Sequence, residues 1–167
     1  MSLSSPELLN EAHDVSVFAC GVPSLDHWLK TRALSKQKRG FTAVLVTHAE
    51  GRVMGYYGLA PTAVIADALP RAIRAGQPPD PVPCLLLGQL ATDLSRAGQG
   101  VGAGLLKHAL TRCVTAAELI GGRAVVVNAV NQSAGAFWRR YGFIPSKEYP
   151  LVLFRSIADI AKSFEGR

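Results

Sequence analysis

Leu90-Ala91-Thr92-Asp93-Leu94-Ser95-Arg96-Ala97-Gly98-Gln99-Gly100-Val101-Gly102 is the stretch whose reading decides the fold. Its first residues read as an apolar strand, its alternating glycines as a turn, and the periodic segment behind them as a long helix. Glycine lets successive backbone N–H groups turn inward and lets an anion approach the main chain. The helix that starts there aims the positive end of its dipole at the same point. The pattern therefore predicts a pyrophosphate cradle, although a tight strand-to-helix turn without any ligand would use the same glycines. Two other phosphate motifs are excluded. The dinucleotide fingerprint is G-x-G-x-x-G after a first strand, with an acidic residue about 20 positions on; here the run is G-x-G-x-G, past mid-chain, and Glu118 falls inside the helical pattern. A P-loop needs Gly-Lys before Ser or Thr, and that tripeptide does not occur.

Working outward, Cys84 to Asp93 reads as the central strand. Gly100 to Ile120 reads as an amphipathic helix with Leu105, Leu106, Ala109, Leu110, Cys113, Val114, Ala117 and Ile120 on its apolar side, stopped by Gly121-Gly122. Arg123 to Val130 reads as a strand, Ser133 to Tyr141 as a short helix, Leu151 to Arg155 as a last strand and Ser156 onward as a terminal helix. Upstream, Ser24 is placed to cap a helix over Leu25–Arg39. Phe41–His48 and Arg52–Ala60 form a predicted hairpin about Glu50-Gly51. Residues 61–83, with prolines at 61, 70, 78, 79, 81 and 83, read as a loop holding one short helix near Ala68–Ala75. A loop of that length is expected to line a substrate entrance or meet a partner. Residues 1–12 show little regular pattern. The order predicts a mixed α/β sheet in a single domain spanning 1–167.

Composition narrows the function class. With 49% hydrophobic and 18% charged residues in 167, the chain is globular. No apolar run reaches the about 18 residues of a membrane span, and no basic head with an apolar core marks a secretion signal, so a cytoplasmic location without membrane partners is expected. Cys20, Cys84 and Cys113 are scattered and not in metal-ligand spacing, as expected of reduced thiols. His13, His27, His48 and His108 likewise show no metal spacing, and no metal is expected. The formal charge of +6 attracts polyanions. Lys30, Arg32, Lys36, Lys38 and Arg39 concentrate that charge, either as a solvated helix face or as a phosphate-backbone contact, which Arg71, Arg74, Arg139 and Arg140 would extend.

A second motif follows the strand Ala124–Val130: Asn131-Gln132-Ser133-Ala134-Gly135-Ala136-Phe137-Trp138-Arg139-Arg140-Tyr141-Gly142-Phe143. Here the chain resembles the GNAT-type N-acetyltransferases. Their pattern N-x-x-A-x-x-F-Y-x-x-x-G-F is met by Asn131, Ala134, Phe137, Gly142 and Phe143, and their [QR]-x-x-G-x-[GA] by Gly100 and Gly102. The resemblance is firm over about residues 85–145 and looser elsewhere. Within the family it leans toward the acetyltransferase toxins of bacterial toxin–antitoxin modules. They share a G-x-x-x-L-D-x-W-L-type segment (here Gly21 to Leu29), a G-Y-Y strand end (here Gly55-Tyr56-Tyr57) and a proline-rich approach to the fourth strand (here Pro78 to Pro83).

The resemblance implies a mostly antiparallel sheet flanked by helices, with a splayed central strand pair that binds acetyl-CoA. It implies acetylation of the α-amine of aminoacyl-tRNA, a small DNA-binding antitoxin as partner, and a homodimer. It assigns Leu90, Ala91 and Thr92 to the pantetheine arm and thioester oxygen, and Ala97, Gly98, Gln99, Gly100, Val101 and Gly102 to the pyrophosphate. Asn131 would meet the pantetheine amide and Phe137 would pack on the arm. Two positions depart from the pattern. Ala97 stands where Gln or Arg is usual, with Arg96 displaced by one. Trp138 stands where a Tyr protonates the leaving thiolate; an indole N–H donates a hydrogen bond but no proton near neutral pH. Tyr141, about one turn on, is the alternative acid, or a packing residue at the helix end. Asp93 would remove a proton through water, or cap a turn. Acetylation of another amine, or a CoA-binding module that has lost catalysis, would fit the same motifs.

Overall fold

The computed structural model describes residues 2–165. Two strands, β2 (Ala43–Ala49) and β3 (Arg52–Val64), pair antiparallel. Between them Glu50 and Gly51 take φ of 51° and 86°, the pair of positive values that a two-residue hairpin turn needs to match strand twist. A two-residue strand, β1 (Glu7–Leu8), lines the outer side of β2. After β3 come α3 (Arg71–Arg74), β4 (Val82–Thr92), the 20-residue α4 (Val101–Ile120), β5 (Ala124–Asn128) and α5 (Gln132–Arg140). The chain then forms β6 (Ile144–Pro145), β7 (Val152–Ser156) and α6 (Ile157–Glu165). With α1 (Pro23–Thr31) and α2 (Ala33–Lys38) the described residues hold seven strands and six helices. The sheet order is β1-β2-β3-β4-β5-β7-β6. It is mixed and mostly antiparallel: β4 and β5 run parallel, paired at Leu85↔Val125 and Leu86↔Val126, a short ladder for an 11-residue strand.

The chain groups into two units, residues 1–60 with 88–109 and residues 61–87 with 110–167. In the first, Leu9, Phe18, Leu29, Val44, Val46 and Tyr56 build the core. Tyr56 anchors it. Fully buried, its ring stacks on Trp28 at 5.8 Å and meets Phe18 edge-on at 5.6 Å, while its hydroxyl donates to the Leu25 carbonyl at 2.7 Å. Burial raises the phenol well above its usual range and keeps that donor protonated. In the second unit the core holds Leu69, Ile73, Val82, Cys84, Val126 and Phe154. Arg123 secures the approach to β4 by donating from Nε to the Ile73 carbonyl (2.9 Å) and from Nη2 to that of Ala75 (2.5 Å).

Several expectations change. The helix over 25–39 is two helices broken at Arg32, whose φ of −125° is not helical. Ser24 caps nothing. Val22 holds the cap position and Pro23 the first turn, where its missing N–H costs nothing. The long loop shrinks because β3 runs on to Val64 and β4 starts at Val82. Ile120 is exposed at the end of α4 rather than on its apolar side. Residues 4–9 are tied down: Leu9 N–H donates to the Val44 carbonyl, and the Thr47 hydroxyl to that of Ser4.

His13 and His48 are also not isolated. Both Nε2 atoms meet Glu7 Oε1, at 2.8 and 2.7 Å, and their Nδ1 atoms accept the backbone N–H of Asn10 and Gly51, each at 3.0 Å. Those N–H groups fix the tautomer, so both Nε2–H donate to the carboxylate. Coordination of a cation by either Nε2 would move the ring proton to Nδ1, against a backbone N–H, so the trio is built for hydrogen bonding. His108, also expected alone, meets the buried Tyr57 hydroxyl with Nδ1 at 2.6 Å.

Tyr56→Phe is expected to destabilise by about 1–2 kcal/mol, the cost of an unpaired buried carbonyl, read by denaturant unfolding. The two imidazole donors hold the Glu7 carboxyl below its ordinary 4.5. A depressed carboxylate stabilises above its unfolded pKa and loses that contribution as pH falls through the folded one. Melting temperature is therefore expected to fall more steeply between about pH 5 and 3 in the unsubstituted protein than in Glu7→Gln.

Candidate active site

In the first unit, β4 delivers Leu90 and Thr92 half-buried and Ala91 buried. Asp93 then caps a short 3-10 turn over Leu94–Arg96. Its carboxylate is buried and fully engaged: Oδ1 accepts the Ala19 N–H at 2.9 Å, and Oδ2 accepts the Ser95 N–H at 3.0 Å and hydroxyl at 2.6 Å. Burial opposes the charge, but these donors outweigh it and leave the carboxyl below its usual range. Of the two roles open in the sequence, Asp93 fills the cap.

Ala97 follows in extended geometry, and Gly98 and Gly100 take φ of 75° and 79°. Side chains rarely adopt that region, and no heavy atom lies within 4 Å of where a Cβ would stand at either glycine. The loop is thus open on the side where its glycines present bare main chain. Val101 starts α4, whose first N–H groups have no carbonyl a turn earlier to bond, and no acidic side chain enters its first turn. Backbone donors, a helix dipole and open space converge, so this loop fits an anionic pyrophosphate. Ala97, Gly98, Gln99 and Gly100 are exposed, Val101 and Gly102 half-buried. A cleft of about 450 Å³ opens beside it, lined by Arg52, Met54, Asp93, Ser95, Arg96 and Gln99. Nothing local in the sequence announces Arg52 there, because the β2–β3 hairpin brings it.

In the second unit, Asn131 caps α5, its side-chain oxygen accepting the Ala134 N–H at 2.9 Å. This use of the oxygen was not anticipated; the side-chain NH₂ remains to meet a ligand carbonyl. Phe137, Trp138, Tyr141 and Phe143 form one aromatic group. Trp138 is 7% exposed and edge-on to Phe137 and Phe143, each at 5.2 Å, while Tyr141 is half-buried 5.0 Å from Phe137. Trp138 thus occupies a packing position and Tyr141 the more open one.

The basic segment divides. Lys30, Arg32, Lys38 and Arg39 are exposed and Lys36 is half-buried. Lys38 pairs with Glu11, and Arg39 lies 4.8 Å over the Phe41 ring. Arg71, Arg74, Arg139 and Arg140, exposed as well, belong to the second unit. Cys20, Cys84 and Cys113 are free thiols, and burial pushes Cys113 up to about 12. Among the described residues no helix is long and apolar enough to cross a membrane.

Residues 7–143 match the Acetyltransferase (GNAT) family. The chain is 41% identical to the tRNA-acetylating toxin of Mycobacterium tuberculosis (strain ATCC 25618 / H37Rv) over 156 residues, 93% of each. It is similar to the structure of AtaT complexed with acetyl-methionyl-tRNAfMet: TM-score 0.88, 29% identity, 98% of this chain and 99% of that one. An AtaT mutant toxin bound to the C-terminus of the antitoxin AtaR and acetyl-CoA is also similar, with TM-score 0.81, 30% identity and 97% and 98% covered. A glycine loop at the head of a long helix and an Asn-capped helix ending in Tyr-Gly-Phe stand in one chain that matches the family over most of its length: the protein is a member of the GNAT acetyltransferase family.

Proposed function

We propose that this protein transfers the acetyl group of acetyl-CoA to the α-amine of aminoacyl-tRNA, as the translation-blocking toxin of a toxin–antitoxin pair. The observation that carries the reading is the positive-φ loop Gly98–Gly100 opening into α4. Similarity to a tRNA-acetylating toxin supports the acceptor, as does the basic run Lys30, Arg32, Lys36, Lys38 and Arg39 in a chain of formal charge +6. The family match runs through both units, which supports one acetyltransferase domain over 1–167. A cognate DNA-binding antitoxin, a homodimeric assembly and a cytoplasmic location belong to the same reading.

Within Ala97 to Gly102, the N–H groups of Gly98, Gly100, Val101 and Gly102 would hold the pyrophosphate, those of Ala97 and Gln99 being used to build the loop itself. The main chain of Leu90, Ala91 and Thr92 would align the pantetheine arm and donate to the thioester oxygen, where a preorganised donor is worth about 3–4 kcal/mol of barrier. Asn131 would contribute its side-chain NH₂ and Phe137 an apolar wall. Acetyl-CoA supplies the acetyl group as an activated thioester. An α-amine has a reference pKa of about 8, so a fraction is neutral at pH 7 and no strong base is required. That suits a site whose nearby carboxylate, Asp93, is already engaged. Tyr141 is assigned the proton delivered to the departing sulfur, and Trp138 the packing beneath it.

Mass spectrometry of charged tRNA incubated with the protein and acetyl-CoA is expected to show an acetylated aminoacyl group. Acetylation of other amines only, or none despite CoA binding, would overturn the acceptor. Tyr141→Phe is expected to lower kcat by about 10²–10⁴ with little change in KM for acetyl-CoA, whereas Trp138→Phe should retain activity within a few-fold. Gly100→Ala, forced toward an unfavourable φ at a cost of about 1–2 kcal/mol, should raise that KM about tenfold or more.

A further inference from the structure

We infer that Asp93 is a positioning residue for acetyl-CoA, holding the pyrophosphate loop at its working pitch by tying the loop's base to Ala19, 74 residues earlier. The inference rests on the acetyl-CoA reading above. The base of the loop is fixed from three directions. The Asp93 N–H donates to the Met54 carbonyl of β3 at 2.8 Å, and the Leu94 N–H donates to the Ala19 carbonyl, also at 2.8 Å. The Asp93 carboxylate closes the ring by accepting the Ala19 N–H and both donors of Ser95. Ala19 is itself immobilised: Phe18 before it is fully buried against Tyr56, and the Cys20 N–H after it donates to Asp26 Oδ1 at 2.8 Å. From this base the loop is built by short-range bonds, Ala97 N–H to the Leu94 carbonyl and Gln99 N–H to that of Arg96. A change in the direction of residues 93–95 is thus carried to Gly98 and Gly100, which have open space rather than neighbouring atoms to resist it. Asp93 need not touch the cosubstrate to control it.

Asp93→Asn is the discriminating variant. Whichever way the amide turns, its NH₂ faces either the Ala19 N–H or the Ser95 donors, so one side of the clamp must open. Calorimetric titration with CoA and steady-state kinetics, with circular dichroism to confirm folding, separate the outcomes. The expected result is an about tenfold or greater loss of CoA affinity, the scale of one lost charge-assisted hydrogen bond. KM for acetyl-CoA should rise in parallel while kcat stays within about twofold, a split that general loss of active protein would not give. Ser95→Ala, which removes only the hydroxyl bond, should weaken CoA binding by a smaller factor of about three, and it decides the matter if Asp93→Asn does not fold. CoA affinity unchanged in a folded Asp93→Asn protein, or in Ser95→Ala where only that variant folds, would overturn the role of Asp93 and leave the acetyl-CoA reading intact. No CoA binding by the unsubstituted protein would overturn both.

Discussion

A buried carboxylate must have its oxygens satisfied, and at Asp93 hydrogen bonds that meet this requirement organise the first unit. Three donors converge on it from two distant parts of the chain. Leaving any unpaired would expose the full desolvation cost of a buried polar group. The arrangement therefore fixes more than a turn. It sets where β4 ends, where residues 18–20 lie beneath the loop, and the direction in which the main chain sets out toward α4. The glycines supply freedom, and the Asp93 hydrogen bonds restrict it at the base of the loop.

How much of this was legible in the sequence follows from the range of each interaction. The glycine loop and α4 were, because a turn's φ and a helix's apolar spacing are local. The hairpin was too, since Glu50-Gly51 is a two-residue turn between alternating strands. The break at Arg32 was missed because Leu25, Trp28, Leu29 and Ala33 keep helical spacing across it. The short β1 and β6 were missed because two residues carry no periodicity. Among site residues, Asn131 and Phe137 came from a motif and Tyr141 from its place about one turn beyond Trp138, but their use did not. That Trp138 turns inward against Phe143 depends on α5 packing, whereas the Asn131 cap is a three-residue bond that a helix starting at Gln132 would have suggested. The Ala19–Asp93 bond and the Glu7–His13–His48 trio span too much sequence for spacing to reveal.

Polar groups packed near the first unit's strands follow one rule: the partner fixes which atom donates. The backbone N–H groups at His13 and His48 dictate a tautomer, and the Leu25 carbonyl accepts the hydrogen bond of the Tyr56 hydroxyl. The Glu7–His13–His48 network joins β1, β2 and the hairpin turn. Tyr141, at the C-cap of α5, is half-buried and more open than the packed Trp138 before it.

The segmentation of the two units has a consequence for how the chain is made. The first unit needs residues 88–109 as well as 1–60, so its N-terminal stretch leaves the ribosome without part of its own core. Ala91 and the Asp93 clamp arrive only after the proline-rich segment of the other unit has been synthesised. Tyr141 follows later still. Domains fold as units during synthesis, and neither unit here is complete until most of the polypeptide exists. An acetyltransferase assembled in this way stays incomplete until the later segment of each unit has been synthesised.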